Sequence, residues 1–277
     1  MSERLLTLLR CPRCGAAPDP TKSDCPSCGR LLRSISGGFD LLTDNETLAA
    51  DLFAERYRSL RRQEGWIQTE RQEDPSAGPP QLWQQRVKSV SRAAALLARL
   101  AATETGRPIV VDIGAGSGWA DGLLQDFDVI AIDLIEPLAR RALSVRGDMS
   151  RLPLNTQSVD AALFAASLHY APVSEAIPEA SRVLRCGGLL IAVDSPIYPD
   201  TRSASKAKAR SVAYYTRTGF PQLGDRYLPI EALELRRVME VSGFRILRFE
   251  VGSLREVLWR RLTNQAPASL IMAEKTC

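Results

Sequence analysis

The sequence predicts an α/β protein, a parallel sheet covered by helices on both faces, with a small cysteine-bearing unit near its N-terminus. Three observations carry this prediction. From residue 109 onward short β-branched runs alternate with amphipathic stretches. A glycine-rich turn, Gly114-Ala115-Gly116-Ser117-Gly118, directly follows the first of these runs. Ahead of both, Cys11, Cys14, Cys25 and Cys28 form two C-x2-C pairs. A length of 277 residues accommodates a full hydrophobic core, and 45% hydrophobic with 25% charged residues is a globular composition. No apolar run approaches the roughly 20 residues that cross a bilayer. The opening MSERLLTLLR is too short and too soon broken by Arg10 for a signal peptide, so a cytoplasmic location is expected, with no membrane partner. The net charge of +4, from 36 basic and 32 acidic residues, is mild for a nucleic-acid binder; it permits an RNA partner without implying one.

Along the chain the boundaries fall at 1–40 for the cysteine unit, 41–81 for a helical connector and linker, and 82–277 for the main domain. Two C-x2-C turns separated by ten residues can aim four thiolates at one tetrahedral zinc ion, and four sulfurs close its shell, so the expected metal is structural. The rival is a disulfide framework, which needs an oxidising compartment. Cys186 and Cys277 are left over and read as a buried thiol and a frayed terminus. Residues 44–66 carry a helical pattern in Leu48, Leu52, Phe53, Tyr57 and Leu60. A polar, Pro- and Gly-rich linker spans Arg71 to Pro80. Leu82, Val87, Val90, Ala94, Leu97 and Leu100 then predict a helix reaching about Ala102, closed by Gly106 and Pro108.

The strand candidates that follow are Ile109–Ile113, Val129–Asp133, Ser144–Gly147, Val159–Ala165 and Leu189–Asp194, with helical patterns in most gaps. Past Asp194 the stretch to Pro229 shows too little regular pattern for a simple crossover and reads as an insertion. A helix over Ile230–Val241, a strand over Phe244–Val251, a basic helix over Leu254–Leu262 with Arg255, Arg260 and Arg261, and a strand over Ser269–Lys275 complete the chain.

In a doubly wound sheet the ligand lies outside the carboxyl ends of the strands, where glycine lets backbone approach it and adopt positive φ. The spacing G-x-G-x-G departs from the nicotinamide fingerprint, whose third glycine would fall at Trp119, and no Gly-Lys-Ser or Gly-Lys-Thr marks a Walker loop. Asp133 ends the second strand, where an acid can accept hydrogen bonds from both ribose hydroxyls. Asp148 ends the third strand, placed to accept from an adenine amino group while Met149 packs on the ring. Either acid alone reads as a helix cap; on three consecutive strand ends they point together to a nucleoside ligand.

The set VVDIGAGSG, Asp133, GDMSRLP and RVLRCGGLLIAVD resembles the class I S-adenosylmethionine-dependent methyltransferases of the type 11 kind, over roughly residues 85 to 275. The resemblance implies a Rossmann-like, seven-stranded doubly wound sheet whose last strand, Ser269–Lys275, runs antiparallel. It also implies S-adenosylmethionine as cofactor. Gly114, Gly116 and Gly118 would line its methionine part, Asp112 would support the loop or meet the amino group, Asp133 would hold the ribose, and Asp148 with Met149 the adenine. Cys186 stands where the family usually has proline. The N-terminal unit resembles the zinc ribbons found ahead of several methyltransferases; it would recognise an acceptor, recruit a protein partner or buttress the following helix.

Methyl transfer needs a nucleophile held in line more than elaborate acid–base machinery. His169, the single histidine, follows the fourth strand and is the candidate catalytic base, against the favoured reading that it orders the loop or borders the cofactor. Tyr198, Tyr214 and Tyr215 are candidates for the acceptor wall, while Arg202, Lys206, Lys208 and Arg210 read as a solvated face. A small-molecule acceptor is favoured. An rRNA base, or no transfer at all in a cofactor-binding interaction protein, are the alternatives.

Overall fold

Leu5 and Leu6 of a one-turn helix, α1 (Glu3–Leu6), are buried together with Leu9 in the largest core cluster of the molecule. The computed structural model describes residues 3–19, 22, 24–65, 80–98, 106–137, 139, 141–251 and 269–277. The linker expected at 71–79, the helix end expected at Leu100 to Ala102, and the basic helix expected at Leu254–Leu262 lie outside the described residues. Leu9 bridges Leu154, and Arg10 N–H donates to the carbonyl of Pro153, so the segment before the first cysteine is stitched to the far side of the chain.

After the cysteine unit, β1 (Arg33–Ile35) and β2 (Gly38–Asp40) form an antiparallel hairpin. A long helix, α2 (Asp44–Gln63), starts at a capping box in which Thr43 and Glu46 satisfy each other's backbone N–H groups. Next come α3 (Pro80–Leu97) and the strands β3 (Ile109–Ile113), β4 (Asp128–Asp133), β5 (Leu143–Arg146) and β6 (Val159–Ala165). Then follow α4 (Val173–Val183), β7 (Leu184–Val193), β8 (Ile197–Tyr198), α5 (Thr201–Arg217), α6 (Pro221–Asp225), β9 (Ile230–Glu231), α7 (Ala232–Val241), β10 (Phe244–Glu250) and β11 (Leu270–Lys275).

The described strands form one nine-stranded sheet in the order β1-β2-β5-β4-β3-β6-β7-β11-β10, beside a small β8-β9 pair. Strands β2 to β7 pair in parallel, whereas β11 is antiparallel to both β7 and β10, as the resemblance implies for the last strand. The strand count is corrected from seven to nine because β2 pairs in parallel with β5 and carries β1 with it. Gly38 makes that junction feasible: a Cβ there would stand 1.6 Å from the Ser144 carbonyl oxygen.

Alternation along β3 separates the two faces. Ile109, Val111 and Ile113 join the core cluster that contains α1, α4 and α7 residues, while Val110 joins the one that contains Trp83, Val90, Ala93 and Leu97 of α3. Trp83 meets Trp119 edge-on at 5.3 Å, and Ser89 donates to Asp194 at the tip of β7, so α3 is held at both the glycine turn and the strand ends.

Helical coverage is thinner than the pattern predicts. Only a 3-10 turn, Trp119–Leu123, joins β3 to β4, and no helix is found among the described residues between β4 and β5 or between β5 and β6. The stretch expected to be an irregular insertion is instead mostly helix, α5, capped by Asp200 through the N–H of Ser203. On it Arg202, Lys206 and Arg210 are exposed as expected, but Lys208 Nζ donates to the carbonyls of Gly224 and Tyr227 and ties α5 to α6. Of the stripe expected on α2, Leu60 is buried while Leu48 and Leu52 are exposed. Cys186 is exposed rather than buried, and Cys277 lies beside it.

Arg146 joins three parts of the molecule. From β5 it pairs with Asp40 of β2 at 3.0 Å and with Asp51 of α2 at 2.6 Å, and its Nε donates to the Leu134 carbonyl. Asp40 is buried, so removing the guanidinium leaves a carboxylate without its counter-charge, a change that costs about 3 kcal/mol or more. The Arg146→Met variant is therefore expected to unfold at a clearly lower urea midpoint than the wild type; an unchanged midpoint contradicts this role.

Candidate active site

The β3-to-β4 turn is built by three glycines in the left-handed region, Gly114 (φ 74°), Gly116 (φ 60°) and Gly118 (φ 77°). They do different things. A Cβ at Gly114 would stand 2.4 Å from Ser167 Cβ, and one at Gly118 2.8 Å from the Ala139 nitrogen, so both permit close packing. A Cβ at Gly116 would meet nothing within 4 Å, because Gly116 borders a cavity of about 560 Å³. The turn is anchored to β4: the N–H groups of Gly114 and Ala115 donate to the Ile132 carbonyl, and Gly116 N–H donates to Asp133 Oδ2 at 2.8 Å.

Asp133 accepts a second bond at Oδ1 from Ile135 N–H. Burial pushes its carboxyl above the ordinary value, against these N–H donors, which pull it down. Asp148 also lines the cavity; its Oδ1 accepts from Ser150 N–H at 2.7 Å, and Met149 lies beside it, within reach of the glycine turn. Gly114, Gly116, Asp133, Asp148 and Met149 are thus brought to one cavity, while Gly118 and Asp112 are not among its lining residues.

Asp112 is 1% exposed, and its Oδ1 has no hydrogen-bond partner among the described residues. Burial, reinforced by the nearby carboxylates of Asp133 and Asp121, raises its pKa to about 7. His169 is buried and outside the cavity lining, tilted against Tyr170 at 4.2 Å and edge-on to Tyr227 at 5.3 Å, and its Nδ1 has no hydrogen-bond partner among the described residues. Burial, then the positive Arg86 and Arg61, lowers its pKa to about 3, so the ring is neutral through the physiological range. Its neighbour Tyr170 does reach the cavity and, raised by burial, stays protonated.

Tyr214 and Tyr215 belong to an aromatic cluster with Leu60 and Leu223, against which the cavity residues Phe53 and Tyr57 also pack, and Tyr214 donates its hydroxyl to Glu64; Tyr198 sits in the β8–β9 pair. None of the three lines the cavity. The wall opposite the strand tips comes instead from α2 and α3: Phe53, Tyr57, Arg58, Arg61, Arg62, Trp83 and Arg86, joined by Arg226. Sequence reading missed these. The spacing of Phe53, Tyr57 and Arg61, four residues apart on one helical face, was the available signal. Ala166, also at the cavity, holds a left-handed φ of 57° just past β6, an outlier that sequence does not announce.

At the N-terminus the four cysteine sulfurs lie within 4.8 Å of one another. Each pair makes the same local turn: Cys11 N–H donates to the Ala16 carbonyl and Gly15 N–H to Cys11, and Cys25 N–H donates to Arg30 and Gly29 N–H to Cys25. Gly15 and Gly29 take φ of 74° and 67°, which the sharp turn requires.

The described strands form a mostly parallel α/β sheet with the candidate site at its strand tips, and a stretch of the chain matches a known family. Residues 111–192 match the family described as methyltransferase domain. A Mycobacterium tuberculosis protein is 40% identical over 90 residues, covering 29% of this chain and 37% of the relative. A chloroplastic Arabidopsis thaliana protein is 36% identical over 104 residues, covering 30% and 29% respectively. Both carry the name uncharacterized methyltransferase, and the chain spans less than two fifths of their length. Among solved structures, a candidate sarcosine dimethylglycine methyltransferase from Galdieria sulphuraria superposes with a TM-score of 0.53 at 13% identity, covering 80% of this chain and 98% of that one, a likeness of fold. No helix among the described residues is long and apolar enough to cross a membrane.

The two displaced pKa values give stability slopes of opposite sign. His169 binds a proton in the unfolded chain below about pH 6.5 but not in the fold until near pH 3, so stability falls as pH drops through that window. Asp112 is protonated longer in the fold than in the unfolded chain, so stability falls as pH rises from about 4 to 7. Urea midpoints measured across pH 4 to 8.5 are expected to show a shallower acid-side loss for His169→Gln and a shallower loss toward neutral pH for Asp112→Asn. Variants whose profiles run parallel to the wild type contradict the assignment.

Proposed function

We propose that this chain transfers a methyl group from S-adenosylmethionine to a small metabolite, and that its four N-terminal cysteines bind a structural zinc ion. One observation carries the cofactor reading: an open glycine turn and the carboxylates at two neighbouring strand ends, Asp133 and Asp148, border a single cavity. The residues fit the group. Each Asp133 oxygen accepts one backbone N–H and retains a lone pair for a ribose hydroxyl, and Asp148 Oδ1 is likewise held by Ser150. The bare Gly116 leaves room where any side chain would project into the cavity.

When bound, the cofactor supplies an activated methyl group on a sulfonium. The chain supplies position and exclusion of water. His169, neutral and outside the cavity, is not placed to take a proton from an acceptor, and the protonated Tyr170 is a hydrogen-bond donor. The reading therefore relies on an acceptor atom that arrives nucleophilic. A volume of about 560 Å³ walled by α2 and α3 suits a small molecule. Titration calorimetry is expected to detect both S-adenosylmethionine and S-adenosylhomocysteine, and Asp133→Ala is expected to weaken either by about 10- to 100-fold. A labelled-methyl assay on fractionated cell extract is expected to place label in the metabolite fraction. Label in RNA or protein overturns the small-molecule acceptor, and cofactor binding without any transfer overturns the enzyme.

For zinc, sulfurs 2.3 Å from a tetrahedral ion stand about 3.8 Å apart. Cys11 and Cys28 are 3.8 Å apart and Cys14 and Cys25 3.6 Å. Elemental analysis is expected to find about one zinc per chain, lost together with thermal stability in Cys11→Ser. A metal-free wild type of full stability contradicts the site.

A further inference from the structure

The cavity is electrically divided. Its acids, Asp133, Glu136, Asp148 and Glu175, come from the strand-tip loops and α4, whereas its five arginines come from α2, α3 and the segment after α6. Three of the arginines, Arg61, Arg86 and Arg226, lie over aromatic rings. Arg226 lies over Phe53 at 5.6 Å, Phe53 stacks on Tyr57 at 5.7 Å, Arg61 lies over Tyr57 at 4.7 Å, and Arg86 lies over Trp83 at 5.3 Å. A guanidinium stacked by its face keeps its N–H donors in the plane, where they match the paired oxygens of a carboxylate or phosphate. Arg61 also pairs with Glu64, but Arg58 and Arg226 make no ion pair within 4 Å among the described residues. Burial, offset in part by Tyr57 and Tyr170, and the neighbouring charge of Arg61 hold Arg86 below its ordinary pKa.

S-adenosylmethionine carries a sulfonium and an ammonium against one carboxylate, so binding it adds net positive charge to this cavity. Its single carboxylate can occupy one guanidinium of the five. Five arginines against four acids leave the lining one positive charge in excess, and the bound cofactor adds another, so the loaded cavity favours an anionic second ligand.

Resting on the methyltransferase reading above, we propose that the acceptor is a small molecule with a flat, apolar body and an anionic group. The anion, a carboxylate or a phosphate, is held by Arg58 and Arg226 at the α2 wall. The body lies against Phe53, Tyr57 and Tyr170.

The test uses the full chain saturated with S-adenosylhomocysteine and titrated calorimetrically with phenyl phosphate, benzoate and benzyl alcohol. At least one of the two anions is expected to bind, about 10-fold or more tighter than the neutral alcohol, and the stronger of the two identifies phosphate or carboxylate. Arg58→Gln and Arg226→Gln are each expected to weaken the anion about 5- to 10-fold, and the double variant more, while S-adenosylhomocysteine affinity is expected to stay within about twofold of wild type in Arg226→Gln; Arg58, whose charge also acts on Asp133, is compared by its anion affinity at cofactor saturation. Arg210→Gln, on the exposed face of α5, is expected to change nothing. Failure of both anions to bind, equal binding of benzyl alcohol, or unchanged anion affinity in the double variant overturns the proposal. The wild-type comparison of the three compounds decides the matter even where a variant fails to fold. Absence of S-adenosylhomocysteine binding with arginine-dependent anion binding intact overturns the cofactor reading alone.

Discussion

The hydrogen bond from Gly116 N–H to Asp133 connects the first strand-end turn to the second strand, and much of the site depends on that connection. Six parallel strands lie side by side in the sheet, and their loops would otherwise each settle independently. The carboxylate at the end of β4 prevents this by holding the glycine turn on one oxygen and its own following loop, through Ile135, on the other. Because Gly114 and Gly118 have no Cβ, Ser167 and Ala139 can close around the turn, and Gly116 is left facing the cavity. The cost is a carboxylate held out of water, visible in its raised pKa.

A second constraint reaches the same cavity from the opposite side. The hairpin β1–β2 lengthens the sheet at β5, and Arg146 at the end of β5 pairs with Asp40 of the hairpin and Asp51 of the following helix. Through that buried cation the position of α2 is tied to the sheet, and α2 carries Phe53, Tyr57, Arg58 and Arg61 to the cavity. The residues around the cysteine unit therefore bear on the candidate acceptor wall, although the four sulfurs themselves sit elsewhere. Packing of Leu5, Leu6 and Leu9 into the main core reinforces the same tie.

The cavity contrasts with one built for proton abstraction. Its nearest histidine is packed against aromatic rings and kept neutral, and the buried Asp112 lies behind the turn rather than in the lining. What it offers is a carboxylate-bearing edge facing a wall of arginines and aromatic rings. Such an arrangement sorts ligands by charge and shape, which suits a reaction whose reagent already carries the activated group.

Much of the sheet was legible in the residues themselves. β3 and β6 begin and end where their largely apolar runs do, because strands buried on both faces favour apolar residues; Asp112 and Asp160 are the buried exceptions within them. The same holds for the glycine turn and the two strand-end acids, whose chemistry is local: positive φ and a short carboxylate are written in the residue types. The paired cysteine turns are local for the same reason.

Three features were decided only by the tertiary structure, because each depends on residues distant in the sequence. The sheet grew to nine strands since β2 found β5, a pairing that no periodicity encodes. Tyr214 and Tyr215, aromatic and near cations, pack with Leu60 and Leu223 outside the cavity lining, while Tyr57, packed against the same cluster, and Tyr170 line it. His169 has the sequence position of a catalytic group, yet packing against Tyr227 and burial beside Arg86 and Arg61 set its protonation and its distance from the site. Sequence by itself determined which backbone turns and acids stand at the strand tips; only the folded chain decided which side chains close the space in front of them, since that depends on how separate elements pack.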